Sequence, residues 1–212
     1  MATLPASALI QRDKETYQIR LTPPSGVVTP EELRQLADVA EKYNAPLLKI
    51  TSGQRIALIG LNEEDMANAS EEVPFRIGGH YIQSCPGNTW CKMGQCDAMG
   101  FSNILTESIG TMATAAKIKV GVSGCPISCS ECHTRDIGFV GGKDGWTMLI
   151  GGNSASRPRI ADVLAEKLTQ DEALALLEKF LTHYNETAKK KQRVARFVEE
   201  HGIEAIREVL GL

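Results

Sequence analysis

The chain has 212 residues, 42% of them hydrophobic, and its formal net charge at pH 7 is -3. This length and composition are sufficient to bury a hydrophobic core, in one domain or in two small ones. The weak negative charge argues against nucleic-acid binding as a main role. The sequence contains no apolar run long enough to span a membrane and no secretory signal, so we expect a cytoplasmic protein with no membrane partner.

Residues 1–77 are predicted to form an α+β unit of ferredoxin-like character. Its first helix has a well-marked start, because Thr29 suits the N-cap position and Glu32 suits the capping-box position three residues later. Pro30 between them is favoured in the first turn of a helix. Apolar periodicity predicts the order strand, helix, strand, strand, helix, at 17–21, 30–43, 47–50, 55–59 and 63–72.

The rest of the chain is predicted to form an α/β unit at 78–158, followed by a helical extension at 159–212. A strand is predicted at 118–122, and apolar runs on both sides of 141–145 predict a β-hairpin. Helical periodicity predicts the other elements, at 92–108, 111–116, 161–168, 170–190, 192–201 and 203–210.

Two short loops contain four of the six cysteines. Cys85 and Cys91 enclose five residues, Cys125 and Cys129 enclose three, and Gly and Pro surround both pairs. Disulfides are rare in cytosolic proteins, so these thiols are better interpreted as metal ligands. A cubane [4Fe–4S] cluster needs four cysteine sulfurs. We therefore predict that these four residues bind one such cluster.

Cys96 and Cys132 remain outside this set. Cys129 and Cys132 also form a C-x2-C pair, which is compatible with zinc binding or a redox dithiol. A zinc site would leave the Cys85 pair without a role, so we favour packing of both extra thiols as small apolar side chains near the cluster. An exchange of ligand roles between Cys91 and Cys96, or between Cys129 and Cys132, stays open.

The cysteine spacing carries a family resemblance. Cys-x5-Cys followed by Gly-Val-Ser-Gly-Cys-Pro-x-x-Cys resembles the nitrite and sulfite reductase family, whose [4Fe–4S] cluster is electronically joined to a sirohaem. The stretches at 136–141, 146 and 151–153 fit the region after the cluster loop, and 51–55 fits the family's substrate-side loop. The resemblance implies that 78–158 binds both cofactors and that Cys129 bridges the cluster to the haem iron.

Three cations are the candidate catalytic residues. Sulfite and nitrite are anions and the chain is net negative, so their binding requires locally concentrated Arg and Lys. The alternation of Lys117 and Lys119 by itself favours a solvated strand face. The resemblance instead places both, with Arg55, on the substrate side of the haem. Larger relatives also have an Arg just before the first cysteine loop, where this chain has His80 and Tyr81.

Sirohaem carries many carboxylates, so its rim needs cations and closely approaching backbone N–H groups. Arg157 and Arg159 are equally compatible with ordinary surface arginines, whereas Arg135 directly follows the cluster loop. The candidate sirohaem contacts, besides the axial Cys129, are Arg135, Gly151, Gly152, Asn153, Arg157 and Arg159.

The resemblance implies the six-electron reduction of sulfite to sulfide, or of nitrite to ammonia. No Gly-x-Gly-x-x-Gly motif follows a predicted strand, so we expect electrons from a separate donor protein such as a ferredoxin. The basic run at 189–196 is interpreted as a solvated face, although docking of an acidic donor is the alternative. The competing hypothesis is a non-catalytic iron–sulfur electron-transfer protein, which would have no use for the three cations together.

The sequence contains no internal repeat, whereas the larger relatives hold two copies of this unit related by a pseudo-twofold axis. A twofold homodimer would rebuild the larger arrangement, with Arg55, Lys117 and Lys119 of each subunit facing the sirohaem of the other. We expect such a homodimer, joined through its ferredoxin-like sheets. The alternative is a monomer that folds its own cations over its own haem.

Overall fold

The computed structural model describes residues 2–212. The chain divides into two compact units, the first ending at Gly79 and the second running from His80 to Leu212. Among the described residues, no helix is long and apolar enough to cross a membrane.

The first unit is an antiparallel four-stranded sheet with two helices, and its strand order is β1-β2-β4-β3. Ile19 and Leu58 from the sheet pack with Leu36 and Met66 from the helices in one buried core. The predicted ferredoxin-like α+β character is confirmed. The elements are β1 Leu9–Ile10, β2 Tyr17–Leu21, α1 Pro30–Lys42, β3 Leu47–Ile50, β4 Ile56–Leu61 and α2 Glu63–Glu72.

The predicted start of α1 is confirmed in atomic detail. Thr29 Oγ1 accepts a hydrogen bond from the Glu32 backbone N–H at 3.1 Å. Glu32 Oε2 accepts one from the Thr29 N–H at 2.7 Å. The capping box therefore satisfies donors that the helix itself leaves unpaired.

The edge strand β3 differs from its neighbours because all four of its residues are exposed. It pairs only with β4, from Leu47 opposite Ile59 to Ile50 opposite Ile56. The exposed fraction of Ile50 is 82%. An exposed apolar edge offers unpaired backbone groups together with apolar side chains.

The second unit is a mixed five-stranded sheet in the order β5-β6-β7-β8-β9. β5, β6 and β7 are parallel, and the β7–β8 and β8–β9 pairs are antiparallel. Phe101 of α4 lies 5.0 Å from the Phe139 ring and 4.9 Å from the Trp146 ring, measured between centroids. The elements are β5 Tyr81–Ser84, α3 Gly87–Trp90, α4 Ala98–Ile109, β6 Lys119–Ser123, β7 Ile137–Gly142, β8 Gly145–Ile150, β9 Asp162–Leu168, α5 Gln170–Thr187, α6 Val194–His201 and α7 Ile203–Leu210.

Three sequence-based expectations for this unit are wrong. Residues 161–168, predicted as helical, form strand β9, which pairs with β8 from Asp162 opposite Ile150 to Leu168 opposite Trp146. Residues 111–116 are not helical, and the helix predicted from 92 begins only at Ala98. The segment at 159–212 thus supplies a strand of the sheet as well as three helices, all within the second unit.

Candidate metal centre and substrate site

Parallel pairing of β5 with β6 brings the two cysteine loops to the same edge of the sheet. Ser84 at the end of β5 lies opposite Val122 in β6. Cys85 follows β5 directly, and its N–H donates to Val122 O at 3.1 Å. Cys125 comes two residues after β6 ends. Neighbouring parallel strands end at one edge, so the loops after them adjoin.

The first cysteine loop turns back and binds the second through its backbone. After Cys85 the chain makes the single helical turn α3, and the Cys91 N–H donates to Gly87 O at 3.0 Å. The N–H groups of Gln95 and Cys96 then both donate to Gly124 O, at 2.7 and 3.0 Å. The carbonyl just before Cys125 therefore joins the two loops.

Two glycines make this close approach possible. Gly87 has φ +58°, and a Cβ there would lie 2.6 Å from the Ala98 nitrogen. A Cβ on Gly124 would lie 2.5 Å from Cys96 O and 2.8 Å from the Gly87 Cα. These contacts are with backbone atoms that cannot swing aside. The loop contact therefore requires glycine at both positions.

The Cys85 sulfur accepts two backbone hydrogen bonds. The Gly87 N–H lies 3.4 Å from Cys85 Sγ, and the Gly124 N–H lies 3.2 Å from it. N–H donors of this kind stabilise a ligating thiolate and tune the potential of an iron–sulfur cluster. Together with the glycine contacts, this donor set fits a cluster held between the loops.

Exposure differs among the four predicted ligands. Cys85 and Cys91 are half-buried, Cys125 is buried and Cys129 is exposed. Among residues 2–212, no three Cys, His, Asp or Glu side chains lie close enough to hold a single metal ion. A cubane cluster differs from a single ion in presenting four separate iron corners to its four thiolates.

Cys96 and Cys132 act as thiol donors within the protein. Cys96 Sγ donates to Gly142 O at 3.5 Å, and Cys132 Sγ donates to Phe139 O at 3.2 Å. Burial raises the pKa of both thiols. These contacts are those expected of neutral cysteines that pack as small apolar side chains.

The second cysteine loop folds back over two strand glycines. A Cβ on Gly121 of β6 would lie 2.6 Å from Ser130 O, and one on Gly138 of β7 would lie 2.3 Å from Cys132 O. The Ser130 N–H donates to Ser123 Oγ at 2.9 Å, which anchors the returning chain. The loop is therefore held at its base, and Cys129 remains exposed.

Arg135 is a buried cation beside the second loop, with an exposed fraction of 5%. Its Nη2 donates to Gln83 Oε1 at 2.9 Å and to Glu131 Oε2 at 2.5 Å. The guanidinium carbon lies 5.1 Å from the centroid of the Tyr81 ring. Within the part of the chain that the structure describes, Nε has no hydrogen-bond acceptor. This orphaned donor fits an anionic group bound next to the cluster loop.

The other candidate sirohaem residues contact one another. A Cβ on Gly152 would lie 2.4 Å from Arg135 O, so the close approach at this glycine is to protein backbone. Arg159 donates to Gly151 O at 3.0 Å and pairs with Asp162 at 2.5 Å. Asn153 Nδ2 donates to Arg157 O at 2.7 Å, and the Arg157 side chain is 71% exposed.

The candidate catalytic lysines lie on one segment of the second unit, and Arg55 belongs to the first. Lys117 is exposed just before β6, and half-buried Lys119 opens that strand. Burial and the nearby Arg193 and Arg135 guanidiniums lower the pKa of Lys119. Arg55 is only 4% exposed, and its Nη2 donates to Gly79 O at 2.9 Å.

Where larger relatives have an Arg just before the first cysteine loop, this chain has a buried histidine. His80 is 6% exposed, and its Nδ1 accepts a hydrogen bond from the Ile118 N–H at 3.2 Å. The His80 N–H donates to Gly110 O at 2.8 Å. His80 therefore joins β5 to the segment that carries Lys117 and Lys119.

Sequence reasoning missed an ion pair beside Lys119, between a buried aspartate and a half-buried arginine. Asp136 is 1% exposed and accepts from Arg193 Nε at 3.2 Å and from Arg193 Nη2 at 2.5 Å. Arg193 is thus not part of a purely solvated basic run, and that interpretation is wrong for this residue. The sequence signal that could have revealed the pair is the position of Asp136 directly before the apolar strand β7, because a buried charge there needs a partner.

Comparisons with known proteins agree on one family. The profile of the nitrite and sulphite reductase 4Fe-4S domain matches residues 80–212. The profile of the nitrite/sulfite reductase ferredoxin-like half domain matches residues 9–73. Both matches confirm the resemblance inferred from the cysteine motifs.

Curated relatives include one that the match covers from end to end. An assimilatory-type sulfite reductase of Nitratidesulfovibrio vulgaris is 45% identical over 218 residues, covering 100% of both chains. A nitrite reductase [NAD(P)H] of Bacillus subtilis is 34% identical over 209 residues, covering 96% of this chain and 26% of that protein. The present chain therefore spans about a quarter of the Bacillus enzyme.

Solved structures share the fold at low sequence identity. Dissimilatory sulfite reductase I superposes with a TM-score of 0.83 and 15% identity, covering 92% of this chain and 69% of that one. The family profiles, with the full-length relative, show that the chain belongs to the nitrite and sulphite reductase family of iron–sulfur oxidoreductases.

Proposed function

We propose that this chain is a small sirohaem-dependent reductase that converts sulfite to sulfide. The observation that carries the proposal is the backbone contact of the two cysteine loops beside Arg135, a buried cation with an unused donor. Sulfite is the favoured substrate because the relative named a sulfite reductase covers the whole chain, whereas the Bacillus nitrite reductase is much longer. Nitrite, reduced to ammonia, is the second candidate substrate.

Four cysteines are proposed to hold a [4Fe–4S] cluster: Cys85, Cys91, Cys125 and Cys129. The N–H donors at the Cys85 sulfur support this assignment. Exposed Cys129 is the proposed link to sirohaem. When bound, the coupled cluster and haem supply one electron at a time to the substrate.

The chain's own cations would bind the oxyanion and deliver protons. Reduction of sulfite releases three waters, so the oxygens must be protonated as they leave. Lys117 and Lys119 are the proposed proton donors. Arg55, whose guanidinium stays protonated, is proposed to bind the oxyanion. Burial and neighbouring guanidiniums lower the pKa of Lys119, so its ammonium gives up a proton more readily than a solvated lysine. Arg135 Nε is the proposed contact to a sirohaem carboxylate, because it is a buried donor with no protein acceptor among the described residues.

The electrons are proposed to come from a separate donor protein such as a ferredoxin. The competing function is a non-catalytic iron–sulfur carrier, and an absorption spectrum separates the two. We expect the anaerobically purified protein to show haem bands above the broad cluster absorption and to form sulfide from sulfite with a chemical reductant. A spectrum of cluster alone that stays unchanged after incubation with sirohaem would establish the carrier instead.

We also propose that the chain forms a twofold homodimer through β3. Leu47, Leu48 and Ile50 are all exposed on this strand, and none of them belongs to the core of the first unit. Antiparallel pairing of β3 with its own copy would satisfy the unpaired edge and bury these apolar side chains.

A further inference from the structure

Asp136 is a buried carboxylate that the proposed chemistry does not explain. It lies 1% exposed just before β7 and accepts hydrogen bonds from two different parts of the fold. One is the Lys119 N–H, at 2.8 Å from Oδ2. The others come from Arg193, whose Nε and Nη2 lie 3.2 and 2.5 Å from the two carboxylate oxygens. Burial raises the pKa of Asp136, although the Arg193 guanidinium favours its ionised form.

The pair connects the C-terminal helices to the lysine segment. Residues 111–118 form no helix or strand, so the position of Lys117 and the start of β6 depends on neighbouring chain. The Lys191 N–H donates to Ala115 O at 2.8 Å. Asn185 of α5 brackets the same segment, since its Nδ2 donates to Ala113 O at 3.2 Å and its Oδ1 accepts from the Ala115 N–H at 3.2 Å.

Charges of both signs surround the Lys119 ammonium. Arg193 and Arg135 disfavour its protonated form, and Asp136 favours it. Removing Arg193 or Asp136 should therefore change the pKa of Lys119 in opposite directions. The titratable and charged groups packed around this site, from the adjoining strands and helices, are His80, Tyr81, Arg135, Asp136, Tyr184 and Arg193.

We propose that the Asp136–Arg193 ion pair is the positioning element for Lys119, fixing the strand backbone at that residue so that its ammonium meets the substrate oxyanion. Arg193 and Asp136 touch no substrate in this proposal, and they act through Lys119. The inference rests on the proposed reductase function. In this proposal the start of α6 contributes to the substrate site, although Arg193 lies far beyond Cys132, the last cysteine of the chain.

The experiment compares Arg193→Gln, Arg193→Lys and Asp136→Asn with a matched control, Arg196→Gln, all as cofactor-loaded protein. Arg196 belongs to α6, pairs with Glu199 at 2.5 Å and donates to Arg157 O at 2.9 Å. Its removal leaves both anchors of Asp136 in place, so it is the control for the exchange measurement. The first readout is hydrogen exchange of the peptide that contains Lys119. We expect exchange to be several-fold faster in Arg193→Gln, because Asp136 loses its second anchor, and unchanged in Arg196→Gln.

The second readout is the pH profile of sulfite reduction. Activity should fall at high pH as Lys119 loses its proton. This alkaline limb should move to higher pH in Arg193→Gln and to lower pH in Asp136→Asn, each by about 0.5–1 pH unit for a single charge removed nearby. Arg193→Lys keeps the charge but loses the two-pronged contact, so it should keep the wild-type limb while KM rises.

The outcomes separate this inference from the proposed function. If wild-type protein reduces neither sulfite nor nitrite, the function fails, while hydrogen exchange still tests the positioning of Lys119. If wild type is active and the Arg193 variants match it in exchange, KM and pH profile, the positioning role is wrong. If Arg193→Gln does not fold, the Arg193→Lys variant decides. A raised KM with an unchanged alkaline limb of the pH profile supports the positioning role, and a wild-type KM contradicts it.

Discussion

Three cysteines differ in the direction of the hydrogen bonds that their sulfur atoms make. Cys85 Sγ accepts from two backbone N–H groups, as a ligating thiolate does. Cys96 and Cys132 donate their thiol protons to carbonyl oxygens, and burial raises the pKa of both. A thiol held in the protonated form is a poor metal ligand. Hydrogen-bond direction thus favours Cys85 as a ligand and sets Cys96 and Cys132 apart from it, as the sequence motif predicts.

Serine variants of single cysteines test this set. We expect Cys91→Ser and Cys129→Ser to lose iron and acid-labile sulfide, because a hydroxyl replaces a ligating thiolate. Cys96→Ser, the matched control from the segment just after the first loop, should keep the cluster, since Ser can still donate to Gly142 O. Loss of the cluster in Cys96→Ser with retention in Cys91→Ser would reverse the assignment.

Neutralising the proposed substrate cations should weaken catalysis without disturbing the cofactors. We expect Lys119→Ala and Arg55→Ala to lower kcat/KM by one to two decades, since a lost charge-assisted contact costs about 1.5–3 kcal/mol. The absorption spectrum should stay that of wild type. Lys179→Ala, an exposed lysine on α5, is the control. Wild-type kinetics in both variants would assign Lys119 and Arg55 purely structural roles.

Local motifs and long-range partners differ in how well the sequence reveals them. The cysteine loops are recognisable because spacing and Gly/Pro content are local features. The Asp136–Arg193 pair joins residues 57 positions apart, and no local sequence pattern marks either of them as a partner of the other. Only the fold brings them together, so the sequence alone misassigned Arg193 to a solvated run.

At the scale of elements, prediction succeeds where the signal is local. The capping box marks the start of α1, and α2 and α7 have the predicted bounds because caps and apolar periodicity agree. Residues 161–168 contain Ala, Leu, Glu and Lys, which favour helices. Pairing with β8 overrides that preference, and the irregular register of this pair obscures the alternation of a strand.

The glycine contacts between the cysteine loops lead to a prediction at this scale. Gly124→Ala should lower cluster content and reduce the free energy of unfolding by about 1–3 kcal/mol, because its Cβ would overlap backbone atoms of the first loop. Gly142→Ala is a matched control, since its Cβ would meet only Gly145 O, at 3.6 Å. Iron analysis and thermal unfolding measure both effects. Equal cluster content in the two variants would show that the loops do not need this contact.

For the whole molecule, the sequence predicts the order of the two units but not which sheet edge stays exposed. The order of predicted elements and the position of the first cysteine loop separate the ferredoxin-like unit from the cluster unit, and the structure divides the chain between Gly79 and His80. The apolar run that predicts β3 as a strand does not reveal that all four of its residues are exposed. That fact depends on α1 and α2 packing over β2 and β4, which is a tertiary property.

The exposed edge of β3 gives the prediction for assembly. We expect the protein in solution to have twice the 23.0 kDa mass of one chain, measured by light scattering on a sizing column. Ile50→Lys should produce the single-chain mass, because a charge on the 82% exposed apolar side chain opposes its burial against a second copy. Val209→Lys is the control, since Val209 is 62% exposed on α7 of the other unit. A wild-type protein with the mass of one chain would establish the monomer, which must then supply all substrate cations from its own chain.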